Sequence, residues 1–123
     1  MWCEENKIVN GLYFKQTCVM SPEQYDVFLN EKYVAYVRCR YRHLTVCPIL
    51  KDVIIPNVIN ITDHDYCNIM DSHNKIESCI DFEHPFYEKY YEDENEYRSN
   101  IDKDDFNTIA DEIYKYLENI KES

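Results

Sequence analysis

The stretch YDVFLNEKYVAYVRCRYRHLTVCPI, residues 25–49, holds three apolar and aromatic runs broken at two short polar points. Tyr25, Val27 and Leu29 alternate with polar or bulky neighbours, as a half-buried strand requires. Residues 30–32 form a three-residue loop in which Asn30 can take the left-handed backbone of a hairpin. Residues 33–41 read as a long strand, 42–43 as a second bend and 44–49 as the returning strand, so the stretch predicts an antiparallel meander. Upstream, GLYFKQTC (11–18) alternates in the same way, and Ser21-Pro22 marks the turn after it. Downstream, DVIIPNVINI (52–61) reads as a further strand that Pro56 confines to an edge or bulge. CIDF (79–82) reads as a short last strand.

Two helices complete the expectation. Phe106, Ile109, Ala110, Ile113, Leu117 and Ile120 form an apolar stripe at helical spacing, which predicts a helix over about 103–121 with Asp102 at its N-cap. Residues 84–100 open on a proline and set Phe86, Tyr90 and Tyr97 near helical spacing, predicting a shorter helix. Residues 62–78 are polar without a clear period and read as a long loop. The fold class expected is therefore α+β: an antiparallel sheet of three to five strands packed by a C-terminal helix. We expect one domain, mainly sheet and loop over 1–82 and acidic helical over 83–123.

Composition removes several activities. Gly11 is the only glycine, which excludes both a phosphate-cradling P-loop and a dinucleotide-binding turn. DKDDFNTIADEI (102–113) has the acids of a calcium loop. It fails because Asn107 occupies the glycine position and Phe106 and Ile113 occupy ligand positions. No run approaches the ~18 apolar residues of a membrane helix. The first ten residues carry acids where a signal peptide carries bases, so we expect a cytoplasmic protein with reduced cysteines packed as small hydrophobes. No cofactor is expected. No catalytic motif accompanies the six cysteines, four histidines or 24 acids, so we expect a protein that is not an enzyme.

Charge points to two candidate surfaces. Residues 1–80 hold 10 acids and 8 bases, a net of −2, while residues 81–123 hold 14 acids and 5 bases, a net of −9. The acidic end interleaves carboxylates with phenols: Glu88, Tyr90, Tyr91, Glu92, Asp93, Glu94, Glu96 and Tyr97. Such a surface repels nucleic acid and anionic membranes and suits a basic protein partner. Carboxylates at helical spacing can occupy a nucleic-acid channel in place of phosphates, which makes an acidic inhibitor the leading expectation.

The second surface is a row of arginines. If 33–41 is extended, Ala35, Val37, Cys39 and Tyr41 point to the core under the C-terminal helix. Tyr36, Arg38, Arg40 and Arg42 point the other way, their guanidiniums about 6–7 Å apart. The row pairs with Glu23, Asp26 or acids of the C-terminal region, receives a nucleotide or other anion with Tyr36 stacking on a base, or forms a protein-binding face. A third pattern, His64-x2-Cys67 with Cys79-x4-His84 and His73 between, has the ligand types of a zinc site but lacks a Cys-x2-Cys knuckle.

The segment YFKQTCVMSPEQYDVFLNEKYVAYVRCRYRHLTV (13–46) resembles small uncharacterised proteins of Firmicutes and their phages or mobile elements, which share a KQT…PEQYDVF…GYVRLR pattern. Ala35 stands where those proteins tend to have glycine, and Cys39 where they tend to have leucine. The resemblance implies no site residues. It does imply a mobile-element origin, and with it an anti-CRISPR-like inhibitor of a nucleic-acid-binding enzyme of host defence, acting in the host cytoplasm.

Overall fold

The computed structural model describes residues 6–17, 23–72 and 76–121. Cys3, Cys18, His73 and the expected turn at Ser21-Pro22 lie outside the described residues. Among the described residues six strands, β1 (Lys7–Val9), β2 (Leu12–Gln16), β3 (Glu23–Leu29), β4 (Lys32–Arg40), β5 (His43–Pro48) and β6 (Tyr87–Tyr90), form one sheet in chain order. Every neighbouring pair is antiparallel. Two helices, α1 (Asp63–Ser72) and α2 (Asp105–Lys121), lie against it. No helix among the described residues is long and apolar enough to cross a membrane.

One sheet face is fully covered. Leu12, Phe14, Tyr25, Val27, Ala35, Val37, Cys39, Leu44 and Val46 meet Phe106, Ile109, Ala110 and Ile113 of α2 in the main core. Rings of Phe14, Tyr25 and Phe106 contact one another edge to face at 5.5–6.0 Å. The stripe foreseen for α2 is the buried one, although Ile120 at its end is 49% exposed. Asp102 does not cap the helix with its side chain; its carboxylate is taken by Arg98.

The other face is only half covered. Tyr13, Phe28 and Tyr33 pack under Val53, Ile55 and Val58, with Tyr66 and Met70 of α1. Here three expectations are corrected. Residues 62–78 are not a loop throughout, because α1 forms: Thr62 Oγ1 accepts from Asp65 N at 3.1 Å, and Tyr66 and Met70 share the buried side. Residues 52–61 make one bridge, Lys32 with Ile54, before a 3-10 turn at Val58–Asn60. Their alternation is correct, with Val53 and Ile55 buried and Ile54 exposed, but Pro56 has no N–H to extend a ladder. Residues 79–82 likewise make only the bridge of Ile80 with Ile49.

The largest correction concerns residues 84–100, which form no helix. β6 pairs Tyr87, Glu88, Lys89 and Tyr90 with Val46, Thr45, Leu44 and His43. The outer edge of β5 offers a row of unpaired backbone groups, and filling it outweighs a helical spacing carried by only three rings. Residues 91–104 then run as an irregular connection to α2. Arg98 holds that connection, pairing with Asp93 and Asp102 while its guanidinium lies 3.9 Å over the Tyr91 ring.

Candidate functional site: an open arginine and aromatic cleft

Pleating sends Gln24, Tyr36, Arg38, Arg40, His43, Thr45, Cys47, Glu88 and Tyr90 to the half-covered face. Ile49 and Ile80 pack on Tyr36 and Cys47, but Val53, Ile55, Val58 and the α1 residues Tyr66 and Met70 pack instead over Tyr13, Phe28 and Tyr33. The result is a cleft of about 470 Å³ lined by Arg38, Arg40, Tyr41, His43, Thr45, Cys47, Phe82 and Tyr90. Register orders it in two rows across the strands: Arg40, His43 and Tyr90 in one, Arg38, Thr45 and Glu88 in the other.

The rings of His43 and Tyr90 are stacked, 4.1 Å between centroids and 4° from parallel, and His43 Nε2 shares a hydrogen bond with Glu88 at 2.8 Å. Phe82 forms the facing wall, its ring edge-on to Tyr36 at 5.5 Å. Burial pushes the Cys47 thiol up to about 11, so it serves as a neutral packing group at the cleft floor.

The expected row is broken in a specific way. Arg38 and Arg40 share the cleft, whereas Tyr41 and Arg42 form the turn between β4 and β5, both with positive φ, 51° and 67°. Tyr41 therefore leaves the core face and is 53% exposed. Arg42 joins a separate depression with Glu92, Asp93 and Glu94, and its Nη1 donates to the Asp93 carbonyl at 3.2 Å. Two adjacent non-glycine residues in the left-handed region cost backbone energy of about 1–2 kcal/mol each. Backbone bonds from Arg42 N to Arg98 O and from Tyr91 N to Arg42 O maintain them.

The expected pairing of the arginine row with Glu23 and Asp26 does not occur. Glu23 accepts from Tyr25 Oη and from Ile101 N. Asp26 is fully buried and accepts from the phenols of Tyr33 and Tyr66, and burial raises its carboxyl to about 6. Arg38 lies close enough to Tyr36 for its charge to oppose the burial that raises the phenol. Arg40 lies over the Tyr41 ring at 4.8 Å and donates to its hydroxyl at 3.3 Å. Among the described residues, neither Arg38 nor Arg40 forms an ion pair. Lys15, Lys32, Lys89, Arg98 and Lys115 each find a carboxylate, while Arg42 and Lys51 bond instead to the Asp93 carbonyl and the Ser78 hydroxyl.

The acidic candidates divide. Tyr91 is buried at 5% exposure, its hydroxyl donating to Asp105 at 2.5 Å, so it is a structural residue and not a partner contact. Glu88 is engaged by His43, and Asp93 by Arg98. Glu92, Glu94 and Glu96 are exposed, as are Tyr90 and Tyr97 at 69% and 67%. They lie on a strand end and an irregular connection, so the helical comb of carboxylates is absent.

The zinc pattern is dispersed. His64 and Cys67 are exposed on α1, Cys79 is buried against the sheet, and His84 is exposed with its Nδ1 beside Asp81 at 3.0 Å. No group of three or more ligand-type side chains among the described residues is arranged to hold a metal. Sequence reasoning missed the His43–Tyr90 platform and Phe82. The alternation of YEKY (87–90) is the signal that could have found the platform. A scan against protein-family models and searches of curated proteins and of solved structures gave no match.

Proposed function

We propose that the protein is a non-catalytic binding module that captures a small anionic ligand in the open half of its sheet, with Arg38 and Arg40 as receptors. The observation that carries this reading is the missing counter-charge. In a chain of 24 acids and 13 bases, the two guanidiniums facing the cleft form no ion pair among the described residues. Guanidinium forks match phosphate or carboxylate oxygens geometrically. A net charge of −11 opposes anions at long range, yet beyond about 8–10 Å salt screens that field, so the nearby pair dominates at contact.

Titration calorimetry with phosphate, sulfate and small carboxylates tests it. Binding by the native protein, and its loss in Arg38→Glu/Arg40→Glu with an unchanged circular dichroism spectrum, is the result expected. Absence of binding across the whole panel would overturn the reading. Should the double variant unfold, Arg38→Gln and Arg40→Gln singly keep the question open to measurement.

A second reading uses the exposed connection. Glu92, Glu94, Glu96, Tyr90 and Tyr97 form an acidic, aromatic edge suited to a basic protein, such as a nucleic-acid-binding enzyme of host defence. Capture of one specific partner from host lysate, lost on Glu92→Lys/Glu94→Lys/Glu96→Lys, supports that use. Capture that survives the charge reversal rejects it.

A further inference from the structure

We infer that the anion held by Arg38 carries a short hydroxylated chain, which enters a second recess lined by the same arginine, and that its chemical class is the hydroxy acid. The inference rests on the anion-receptor reading above and adds a selective arm to it.

Register places the recess. The row of Arg38 continues across the sheet to Gln24 of β3, and from there to Thr17 just past the end of β2, where Thr17 N donates to Gln24 O at 3.1 Å. Directly opposed residues share a face, so three hydrogen-bonding side chains stand side by side, Thr17 two strand spacings or about 10 Å from Arg38. All three line a recess of about 290 Å³, and Arg38 and Phe82 line both this recess and the cleft of about 470 Å³. One guanidinium therefore serves two adjoining chambers. Ile80, which is buried, and Phe82, edge-on to Tyr36, supply the apolar wall.

The chemistry of the wall selects a hydroxyl. Among the described residues Thr17 Oγ1 is the buried side-chain polar atom with no hydrogen-bond partner. Leaving such an atom unpaired is costly, and a ligand group that both donates and accepts recovers the cost. Gln24 turns its Oε1 to the Tyr36 hydroxyl at 2.9 Å, which leaves its amide nitrogen as a donor on the same wall. Asp26 also lines the recess, fully buried, its two oxygens accepting from Tyr33 and Tyr66. A second anionic group there would meet this carboxylate, and a cationic one would meet Arg38. A neutral hydroxyl meets neither objection. The volume is that of roughly ten waters, enough for an arm of about three or four carbons.

Titration calorimetry with butyrate, erythronate (its trihydroxy counterpart) and the uncharged erythritol tests this. Erythronate should bind about ten-fold tighter than butyrate, the gain of one or two hydrogen bonds made in a buried setting. Thr17→Val keeps the shape and removes the hydroxyl; it should abolish most of that difference and leave butyrate unchanged, while Thr17→Ser retains it. Without ligand, Thr17→Val should melt at or above the native temperature, because it removes an unpaired buried hydroxyl. A lower melting temperature would show that the hydroxyl is already used by the fold and overturns the inference. Equal affinity for the two acids, or a gain that survives Thr17→Val, overturns the hydroxylated arm and leaves the anion receptor standing. Failure of both acids together with phosphate and sulfate overturns both. Erythritol binding as tightly as erythronate overturns the link between the recess and Arg38.

Discussion

Burying Asp26 between the phenols of Tyr33 and Tyr66 leaves the protein with a carboxyl whose proton comes off late. Burial raises it to about 6 from 3.8, against the opposing pull of the two phenols and Lys15. The native state thus holds this proton more tightly than the unfolded chain. Its contribution is full below pH 4 and is lost as pH rises through 6, by up to about 3 kcal/mol. Asp26→Asn removes the titration while keeping the shape, so the stability of native protein relative to the variant should fall between pH 4 and 7. Urea midpoints at several pH values check this, and parallel curves would refute it. Tyr91 is the other residue whose role is set by one atom. Its hydroxyl donates to Asp105 and accepts from Asp102 N, so Tyr91→Phe should cost about 1–3 kcal/mol in urea unfolding.

Elements inherit these local decisions unequally. In α2 the apolar stripe is legible from spacing, but its weight is not uniform: Ile109 is fully buried and Ile120 half exposed. Ile109→Ala should destabilise by about 2–5 kcal/mol and Ile120→Ala by well under that, a contrast that thermal or urea melts resolve. The β4–β5 turn behaves differently. Tyr41 at φ 51° sits where asparagine or glycine is normal, and its exposed ring contributes to the cleft. Tyr41→Asn should therefore leave the melting temperature unchanged or raise it, by up to about 1 kcal/mol in stability, while weakening ligand binding. A loss of stability with full binding would reverse this assignment. β6 was hidden for a related reason. Its four residues alternate too briefly to announce a strand beside a proline and a run of acids, and its partner β5 lies more than forty residues earlier.

For the whole molecule, charge is the governing quantity. At −11 the compact state repels itself, and among the pairs that offset this Lys32–Asp52 and Lys115–Glu112 are exposed and individually weak. Raising salt from about 10 to 150 mM should raise stability by about 1 kcal/mol, roughly 3–5 °C in Tm, as screening shortens to about 8 Å. Unchanged or lowered Tm would show that the ion pairs outweigh the repulsion. The alternating residues of 25–49 and the apolar stripe of 106–117 determine, by themselves, an antiparallel meander with a helix on one face, because period-two and period-3.6 patterns each bury only one way. Only the tertiary structure decided that β6 completes the sheet, that α1 covers half of the second face, and that Arg38 and Arg40 face one cleft with Tyr90 and form no ion pair among the described residues. Those outcomes depend on contacts between segments far apart in the chain, and local pattern carries no record of which distant carboxylate will be within reach.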